Sequence, residues 1–225
     1  MEKVTILDLN VDVNAENDLI AEAIRKDNDR TKTVFINVMA SPGAGKTTLI
    51  FETLKRLSKT VKTGIIEADI DHDIDAVKLA SNGENCIQVH TGGECAMDAA
   101  MTEKAVKALK TQYGEDIKLL LLENIGNLVC PAENDVGADH DIAILSIPEG
   151  DDKPLKYPLM FEKCSVVLIS KIDTEAYFNF DRQAVVERIH RKNPQAQVIF
   201  LSAKTGEGMD EWMDWLEKAV TKKQN

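Results

Sequence analysis

The 225-residue sequence predicts an α/β fold, a doubly wound and mostly parallel β-sheet with helices on both faces. Short runs of aliphatic and β-branched residues recur along the chain without polar alternation, which is typical of strands buried on both faces. Amphipathic stretches of helical length lie between these runs. A glycine-rich loop joins the first run to the first amphipathic stretch. These three observations favour strands and helices that alternate in one layered domain.

The N-terminal residues 1–32 are predicted to form an extension and a helix, with Asn14 as a candidate N-cap. Residues 33–225 are predicted to form the main domain. Because no repeat, low-complexity segment or linker divides the chain, we expect one structural domain overall. The predicted strands are 34–39, 64–67, 117–122, 142–147, 166–169 and 198–201. The predicted helices are 46–59, 97–112, 179–192 and 207–221.

The charge balance argues against a nucleic-acid partner. The formal net charge is -11, and no run of Lys and Arg is present that would follow a phosphate backbone. No apolar stretch reaches the length of a membrane span, and the early residues do not resemble a signal peptide. We therefore expect a cytoplasmic protein that binds neither nucleic acid nor membrane.

The chain has four cysteines, Cys86, Cys95, Cys130 and Cys164. In a reducing compartment we expect free thiols or metal ligands, and not a disulfide framework. Taken singly, a cysteine is most often a small buried hydrophobe. A metal-binding role for any of them therefore needs a further observation.

The glycine-rich loop has the sequence Ala40-Ser41-Pro42-Gly43-Ala44-Gly45-Lys46-Thr47. It matches the phosphate-loop pattern G-x-x-x-x-G-K-[ST] except for the alanine at the first glycine, which is tolerated if φ stays negative there. In such a loop the backbone N–H groups bind phosphate, the lysine reaches the β and γ phosphates, and the threonine hydroxyl binds Mg²⁺. The predicted phosphate-binding residues are Gly43, Ala44, Gly45, Lys46, Thr47 and Thr48. A chance glycine-rich loop is disfavoured because strand, loop and helix occur in order, so the sequence predicts a P-loop nucleotide triphosphatase.

Acidic residues at strand ends are the candidates for magnesium binding and hydrolysis. Glu123 ends one predicted strand, and an acidic set, Asp69, Asp71, Asp73 and Asp75, follows another. The alternative is that this acidic set forms a solvated surface loop without a function. We expect that alternative to apply to at least two of its four residues. The predicted Mg²⁺ ligands are Thr47, Asp69 and Glu123. The predicted catalytic residues are Lys46, Asp75 and Glu123, with Asp75 positioning water or supporting the metal.

Two further strand ends predict guanine recognition. Lys171 and Asp173 follow the strand 166–169, and a carboxylate at Asp173 can accept from both N1–H and the exocyclic amine of guanine, a donor pair that adenine lacks. The predicted segment for guanine O6 is Ser202, Ala203 and Lys204, after the next strand. These two segments occur in the expected order, at the carboxyl ends of successive strands. Together they favour GTP over ATP as the bound nucleotide. Ser170 stands where asparagine is usual, and we expect its shorter side chain to weaken one base contact.

The sequence resembles the HypB family, GTPases that help deliver nickel to hydrogenase precursors, from about residue 14 to residue 220. The most specific segments are Glu123-Asn124-Ile125-Gly126-Asn127-Leu128-Val129-Cys130-Pro131 and Glu149-Gly150-Asp151-Asp152-Lys153-Pro154-Leu155-Lys156-Tyr157-Pro158. The resemblance implies a GTPase that dimerises with nucleotide and whose nucleotide state is coupled to a metal site. It also implies that Lys153 or Lys156 reaches the nucleotide of the partner subunit.

The family's metal site resembles the segment 91–99 together with Cys130. The family pattern has a Cys-His pair, whereas here Cys95 is followed by Ala96. Two thiolates per chain remain, and four sulfurs across a two-fold axis would suit Ni or Zn. The alternative is that Cys95 and Cys130 are structural remnants and that no metal is bound tightly.

The leading prediction is a slow regulatory GTPase that uses GTP and Mg²⁺ and acts as a nickel metallochaperone. Its expected partners are a second copy of the chain and a nickel-enzyme precursor or another maturation protein, with hydrogenase as the leading client. One alternative is a nucleotide-controlled dimerisation or binding module without tight metal binding. The other is a GTPase serving a different nickel enzyme, such as a nickel carbon-monoxide dehydrogenase.

Overall fold

The computed structural model describes residues 10–57, 61–70 and 83–224, with side chains from residue 15 onward. Its strands are β1 (Val34–Ala40), β2 (Thr63–Asp69), β3 (Asn85–His90), β4 (Leu119–Glu123), β5 (His140–Ser146), β6 (Val166–Ser170) and β7 (Gln197–Phe200). These described strands form one sheet in the order β3-β2-β4-β1-β5-β6-β7, and all their pairings are parallel. The predicted doubly wound α/β fold is therefore confirmed.

Strand β3 is the one described strand that the sequence did not predict. In β3 the polar residues Asn85, Gln88 and His90 interrupt the apolar ones, so the strand lacks the continuous apolar run seen in its neighbours. It lies at the edge of the described sheet and pairs with β2 alone, which leaves most of its residues only half buried. An edge strand does not need apolar residues on both faces.

The helices are α1 (Asn10–Thr31), α2 (Lys46–Arg56), α3 (Ala99–Tyr113), α4 (Cys130–Glu133), α5 (Lys153–Lys156), α6 (Pro158–Lys163), α7 (Arg182–Lys192) and α8 (Met209–Gln224). Helix α1 already begins at Asn10, so the prediction of an N-cap at Asn14 is wrong. A favourable cap residue does not start a helix when the residues before it also adopt helical conformation. None of the described helices is long and apolar enough to cross a membrane.

The buried core lies on both faces of the sheet. On one face, β1 side chains such as Ile36 pack with α2 and α8, including Leu49 and Leu216. On the other face, Phe35 packs with α1 and α3 through residues such as Ile24. A third cluster joins β5 and β6 to α6 and α7. Because every described strand is parallel, the loops that leave their carboxyl ends gather at one edge, and the candidate site lies there.

Candidate functional site

The phosphate loop has the backbone conformation that its glycines predict. Gly43 has a φ of 75° and Gly45, directly before α2, has a φ of 103°, values that a side chain would disfavour. Ala40 is the last residue of β1, is fully buried, and is not among the described residues with positive φ. The condition under which alanine replaces the first glycine is therefore met.

A cavity of about 750 Å³ opens over this loop. Its lining includes the predicted residues Gly43, Gly45, Lys46, Thr47, Thr48, Asp69 and Glu123. The Thr47 hydroxyl donates a hydrogen bond to Glu123 Oε1 at 2.7 Å, which brings two of the predicted magnesium ligands into contact. The structure therefore places most of the predicted phosphate and magnesium residues around one space. Asp75, the predicted water-positioning residue, lies outside the described residues.

Glu67 is a site residue that the sequence analysis missed. It lies within β2 directly opposite Glu123 of β4, is buried, and lines the same cavity. The strand β2 continues to Asp69, so Glu67 is not the strand end that the sequence suggested. The sequence could have indicated it, because Glu67 follows a run of apolar residues. Burying a carboxylate in such a run costs free energy unless the group has a partner or a function.

The paired carboxylates also affect a nearby thiol. Burial, followed by the charges of Glu67 and Glu123, raises the pKa of Cys86 to about 12. This thiol therefore stays protonated near neutral pH, and thiolate is the form that binds metal. Thr47, Glu67, Asp69 and Glu123 carry oxygen atoms, the donors that Mg²⁺ prefers, so the chemistry of these residues suits that ion, although these three described carboxylates do not converge into one metal-binding group.

A second cavity, of about 370 Å³, adjoins the first, and both are lined by Gly45, Thr48 and Lys171. It contains all the predicted base-binding residues, Lys171, Asp173, Ser202, Ala203 and Lys204, together with Ala44. The Ser202 hydroxyl donates to Asp173 Oδ1 at 2.6 Å, which fixes the orientation of that carboxylate. Lys171 has a φ of 59°, and its Nζ donates to the Gly43 carbonyl at 2.6 Å.

Ser170 lines the base cavity and also contacts the phosphate loop. Its side chain is buried, and its hydroxyl donates to the Ala44 carbonyl at 2.9 Å. The hydroxyl therefore ties β6 to the phosphate loop. This contact supports the loop from the side of the base cavity.

The lysines predicted to act across a dimer lie outside both cavities. Lys153 Nζ lies 5.5 Å from the centroid of the Tyr157 ring, and Lys156 Nζ pairs with Asp152 at 2.5 Å. The segment that precedes them is joined to the phosphate loop, since the Ser41 hydroxyl donates to Glu149. Within one chain, the structure does not bring Lys153 or Lys156 to the nucleotide cavity.

The two predicted metal-binding cysteines lie side by side. Cys95 and Cys130 are joined by a disulfide, with Cα atoms 6.1 Å apart. The prediction of free thiols is therefore wrong for this pair, whereas Cys86 and Cys164 are free and buried. The reason lies in the strand order, because the loops after β3 and β4 leave the same edge of the sheet on either side of β2. Among the described residues, no group of three or more His, Cys, Asp and Glu side chains is arranged to hold a metal.

One segment, residues 123–130, runs from the predicted magnesium ligands to the cysteine pair. It starts at Glu123 beside Thr47, and a Cβ added at Gly126 would lie 3.0 Å from Pro42 of the phosphate loop. It ends at Cys130, whose Sγ accepts a hydrogen bond from Asn127 Nδ2 at 3.3 Å. The nucleotide cavity and the cysteine pair are thus the two ends of one segment.

Comparison with known proteins agrees with this geometry. The family model described as CobW/HypB/UreG, nucleotide-binding domain, matches residues 34–200. The hydrogenase maturation factor HypB of Escherichia coli (strain K12) is 42% identical over 217 residues, which span 96% of this chain and 74% of that protein. The hydrogenase/urease maturation factor HypB of Helicobacter pylori is 36% identical over 203 residues, spanning 90% of this chain and 83% of that protein.

Solved structures give the same assignment. The crystal structure of HypB from Helicobacter pylori in complex with nickel superimposes with a TM-score of 0.88 at 34% identity, covering 92% of this chain and 96% of that chain. HypB from Archaeoglobus fulgidus superimposes with a TM-score of 0.84 at 33% identity, covering 92% and 99% of the two chains. The predicted resemblance is confirmed. The chain therefore belongs to the CobW/HypB/UreG family of nucleotide-binding domains and, within it, to the HypB hydrogenase maturation factors.

Proposed function

We propose that this protein is a GTP-hydrolysing metallochaperone that delivers nickel during maturation of a nickel enzyme, with hydrogenase as the client. The observation that carries the proposal is the segment 123–130, which has a magnesium and phosphate residue at one end and a cysteine of the candidate metal pair at the other. The names of the relatives, hydrogenase maturation factors and hydrogenase/urease maturation factors, support the client. The nickel complex of the Helicobacter pylori relative supports the cargo.

The base cavity supports GTP as the nucleotide. Asp173 Oδ1 already accepts from Ser202, and the carboxylate retains lone pairs for the N1–H and amine donors of guanine. Adenine presents an acceptor at N1, so the same carboxylate would repel it. The backbone of Ala203, which lines the cavity, is our candidate donor to guanine O6.

For hydrolysis, the residues of the first cavity act by position and charge. Lys46 is almost fully buried at the start of α2, where its ammonium group would stabilise charge on the β and γ phosphates. Thr47, Asp69 and Glu123 would hold Mg²⁺, which when bound would neutralise phosphate charge. We propose Glu67 as a further support of this set. We propose Asp75 as the residue that positions water.

For nickel, the cysteine pair must first be reduced. Reduction yields two thiols per chain, and their thiolates are ligands for Ni or Zn. Two sulfurs do not complete a tetrahedral or square-planar site, so we propose that a homodimer supplies four. In that dimer Lys153 or Lys156 would reach the nucleotide of the second copy, which explains why neither lines the cavity of its own chain.

A turnover assay tests the GTPase part of the proposal. Phosphate release from GTP and ATP should be compared for the wild type and for Lys46→Ala, in the presence of Mg²⁺. We expect hydrolysis of GTP but not of ATP, and a loss of about 100-fold or more in the variant, because it lacks a charge that stabilises the transition state. An exposed control is Lys218→Ala on α8, which should match the wild type. Equal turnover of both nucleotides would contradict the assignment.

Metal analysis of reduced protein with bound GTP analogue tests the chaperone part. We expect one nickel per two chains and a dimeric mass, with loss of the nickel but not of the nucleotide-dependent dimer in Cys95→Ala and Cys130→Ala. Cys86→Ala is the matched control, since the pKa of its thiol is raised to about 12 and it should not act as a ligand. Nickel bound at full stoichiometry by Cys95→Ala would contradict the proposed ligand pair.

A further inference from the structure

The peptide groups next to Met97, two residues after Cys95, are held by two asparagine side chains from the segment that follows β4. Asn124 Oδ1 accepts a hydrogen bond from Met97 N at 3.2 Å. Asn134 Nδ2 donates to Met97 O, also at 3.2 Å. Both Met97 and Asn124 are buried, so water cannot easily replace the Asn124 bond. The loop that carries Cys95 is therefore fixed to the chain segment that carries Cys130.

Asn124 also belongs to a buried chain of hydrogen bonds that crosses the sheet. Its Nδ2 donates to Asn37 Oδ1 at 3.1 Å, and Asn37 Nδ2 donates to Asp141 Oδ1 at 2.8 Å. Its Oδ1 additionally accepts from Ile125 N at 2.9 Å. An amide is suited to this place because it accepts at one atom and donates at the other. Buried networks of this kind hold their members in defined positions.

Asn124 also lies next to the proposed nucleotide site. Asn124 directly follows Glu123, which accepts from the Thr47 hydroxyl, and it lines the phosphate cavity itself. Two residues later, Gly126 lies against Pro42 of the phosphate loop. A displacement of Glu123 or Gly126 by a bound phosphate would move the Asn124 backbone, and its side chain would carry the change to Met97.

We propose that Asn124 is a positioning residue that couples the nucleotide state to the separation of Cys95 and Cys130. It acts through its hydrogen bond to Met97 N, and Asn134 supports the same loop through its hydrogen bond to Met97 O. The inference rests on the proposed function, since it assumes that the reduced cysteine pair binds nickel. It adds the physical route by which hydrolysis of GTP would loosen the metal.

The test measures nickel affinity of the reduced full-length protein with GDP and Mg²⁺, and again with a non-hydrolysable GTP analogue and Mg²⁺. The ratio of the two Kd values reports the coupling, and couplings of this kind are typically about 5- to 150-fold. We expect Asn124→Ala to reduce the ratio to less than about 2-fold, measured at saturating concentrations of each nucleotide so that a change in nucleotide affinity does not enter the ratio.

A second variant keeps the test decisive if Asn124→Ala does not fold. Asn134→Ala removes a single half-buried hydrogen bond to the peptide group on the other side of Met97 and should reduce the ratio by at least about 3-fold. The matched control is Asn193→Ala, which removes side-chain hydrogen bonds to the carbonyls of Phe161, Glu162 and Cys164, far from Cys95 in the fold. It should lower the melting temperature but leave the ratio unchanged.

The outcomes separate this inference from the proposed function. If the wild type binds nickel equally in both nucleotide states, nickel binding is not coupled to the nucleotide. That part of the proposed function then fails, and the inference fails with it. If the wild type shows coupling and folded Asn124→Ala and Asn134→Ala both retain its full size, the inference alone is overturned. A ratio that falls equally in Asn193→Ala would also overturn it, because the effect would then follow general destabilisation.

Discussion

Individual side chains at this site are held by contacts with residues distant in sequence. Ser170 lies in a guanine-recognition motif but donates to the carbonyl of Ala44 in the phosphate loop. Asp173 is oriented by Ser202 from the next strand along the sheet. Because a short side chain can make such a contact only from a fixed backbone position, the sheet determines what each motif residue does.

The Asp173 carboxylate should determine which base is bound. Asp173→Asn replaces one acceptor by a donor, so we expect GTP affinity to fall by about 10- to 150-fold, which corresponds to the roughly 1.5–3 kcal/mol of a charged hydrogen bond. Xanthosine triphosphate, which has a carbonyl in place of the guanine amine, should bind better to the variant than to the wild type. Competition binding with both nucleotides measures this, with the exposed Asp214→Asn as control. Unchanged preference for GTP would show that Asp173 does not contact the base.

Asp141 should make stability depend on pH. Burial raises the pKa of its carboxyl, against the opposing effects of the Asn37 hydrogen bond and of Lys163 and Arg25. A raised folded-state pKa means that stability is lost as the pH rises through that value, because a buried charge must form. Asp141→Asn should therefore be more stable than wild type at neutral pH, by about 1.4 kcal/mol per unit of raised pKa.

This advantage should decrease as the pH falls below the raised pKa of Asp141, since the wild-type side chain is then also neutral. Urea unfolding of both proteins between about pH 4 and pH 8 measures the difference. The exposed Asp214→Asn should show no such pH-dependent gap. A gap that stays constant with pH would contradict ionisation of Asp141 as its cause.

Among the elements of the fold, the segment between β4 and α4 connects the phosphate loop to the cysteine pair. It contacts the phosphate loop at Gly126 and ends at Cys130 in α4. Asn124 and Asn127 in this segment, and Asn134 directly after α4, all make side-chain hydrogen bonds to backbone or sulfur atoms. Polar side chains that bond the backbone in this way give a loop a defined shape without regular secondary structure.

Gly126→Ala tests the contact between this segment and the phosphate loop. The added Cβ would lie 3.0 Å from Pro42 Cα, N and Cγ, closer than normal van der Waals contact. We expect a loss of about 1–3 kcal/mol in the free energy of unfolding, the usual cost of overpacking, or a displaced segment with slower GTP hydrolysis. Chemical denaturation and phosphate release distinguish the two results.

Pro42→Ala supplies the matched comparison for this substitution. In the double variant the Cγ contact is removed but the two backbone contacts remain, so recovery should be partial. If Gly126→Ala alone retains wild-type stability and turnover, the close approach has no functional consequence.

Across the molecule as a whole, the sheet order brings the predicted nucleotide and magnesium residues and the cysteine pair to one edge. The strands β2, β4 and β6 each end at a residue that lines one of the two cavities, and β1 and β7 end within two residues of one. Packed helices on both faces hold this edge rigid through separate core clusters. Loops at such an edge can therefore respond to a ligand while the sheet keeps its register.

The oxidation state of the cysteine pair should control metal binding by the whole protein. Each disulfide formed with oxidised glutathione takes two electrons from Cys95 and Cys130 and removes both thiolates as ligands. We expect nickel affinity to fall by more than the roughly 10- to 100-fold that follows loss of an outer-shell partner. Nickel titration of reduced and oxidised protein measures the change, with mass spectrometry to confirm the bond. Equal affinity in both states would rule out these sulfurs as the ligands.

The features that could be predicted from the sequence are those whose residues are neighbours along the chain. The phosphate loop from Ala40 to Thr47 was predicted because strand, glycines and helix N-terminus must be contiguous to bind phosphate. Six of the seven described strands were predicted for a similar reason, since burial on both faces leaves a local apolar run. Asp173 was identified from its motif, and the family from two contiguous segments.

Contacts between residues that are distant in sequence could be identified only from the folded chain. Three such contacts depend on the order β3-β2-β4 in the sheet. They are the disulfide between Cys95 and Cys130, the position of Glu67 opposite Glu123, and the hydrogen bond between Asn124 and Met97. No local pattern encodes strand order, because parallel strands are joined by crossovers that allow several arrangements. The phosphate loop could thus be recognised from sequence, whereas its physical connection to the cysteine pair required the fold.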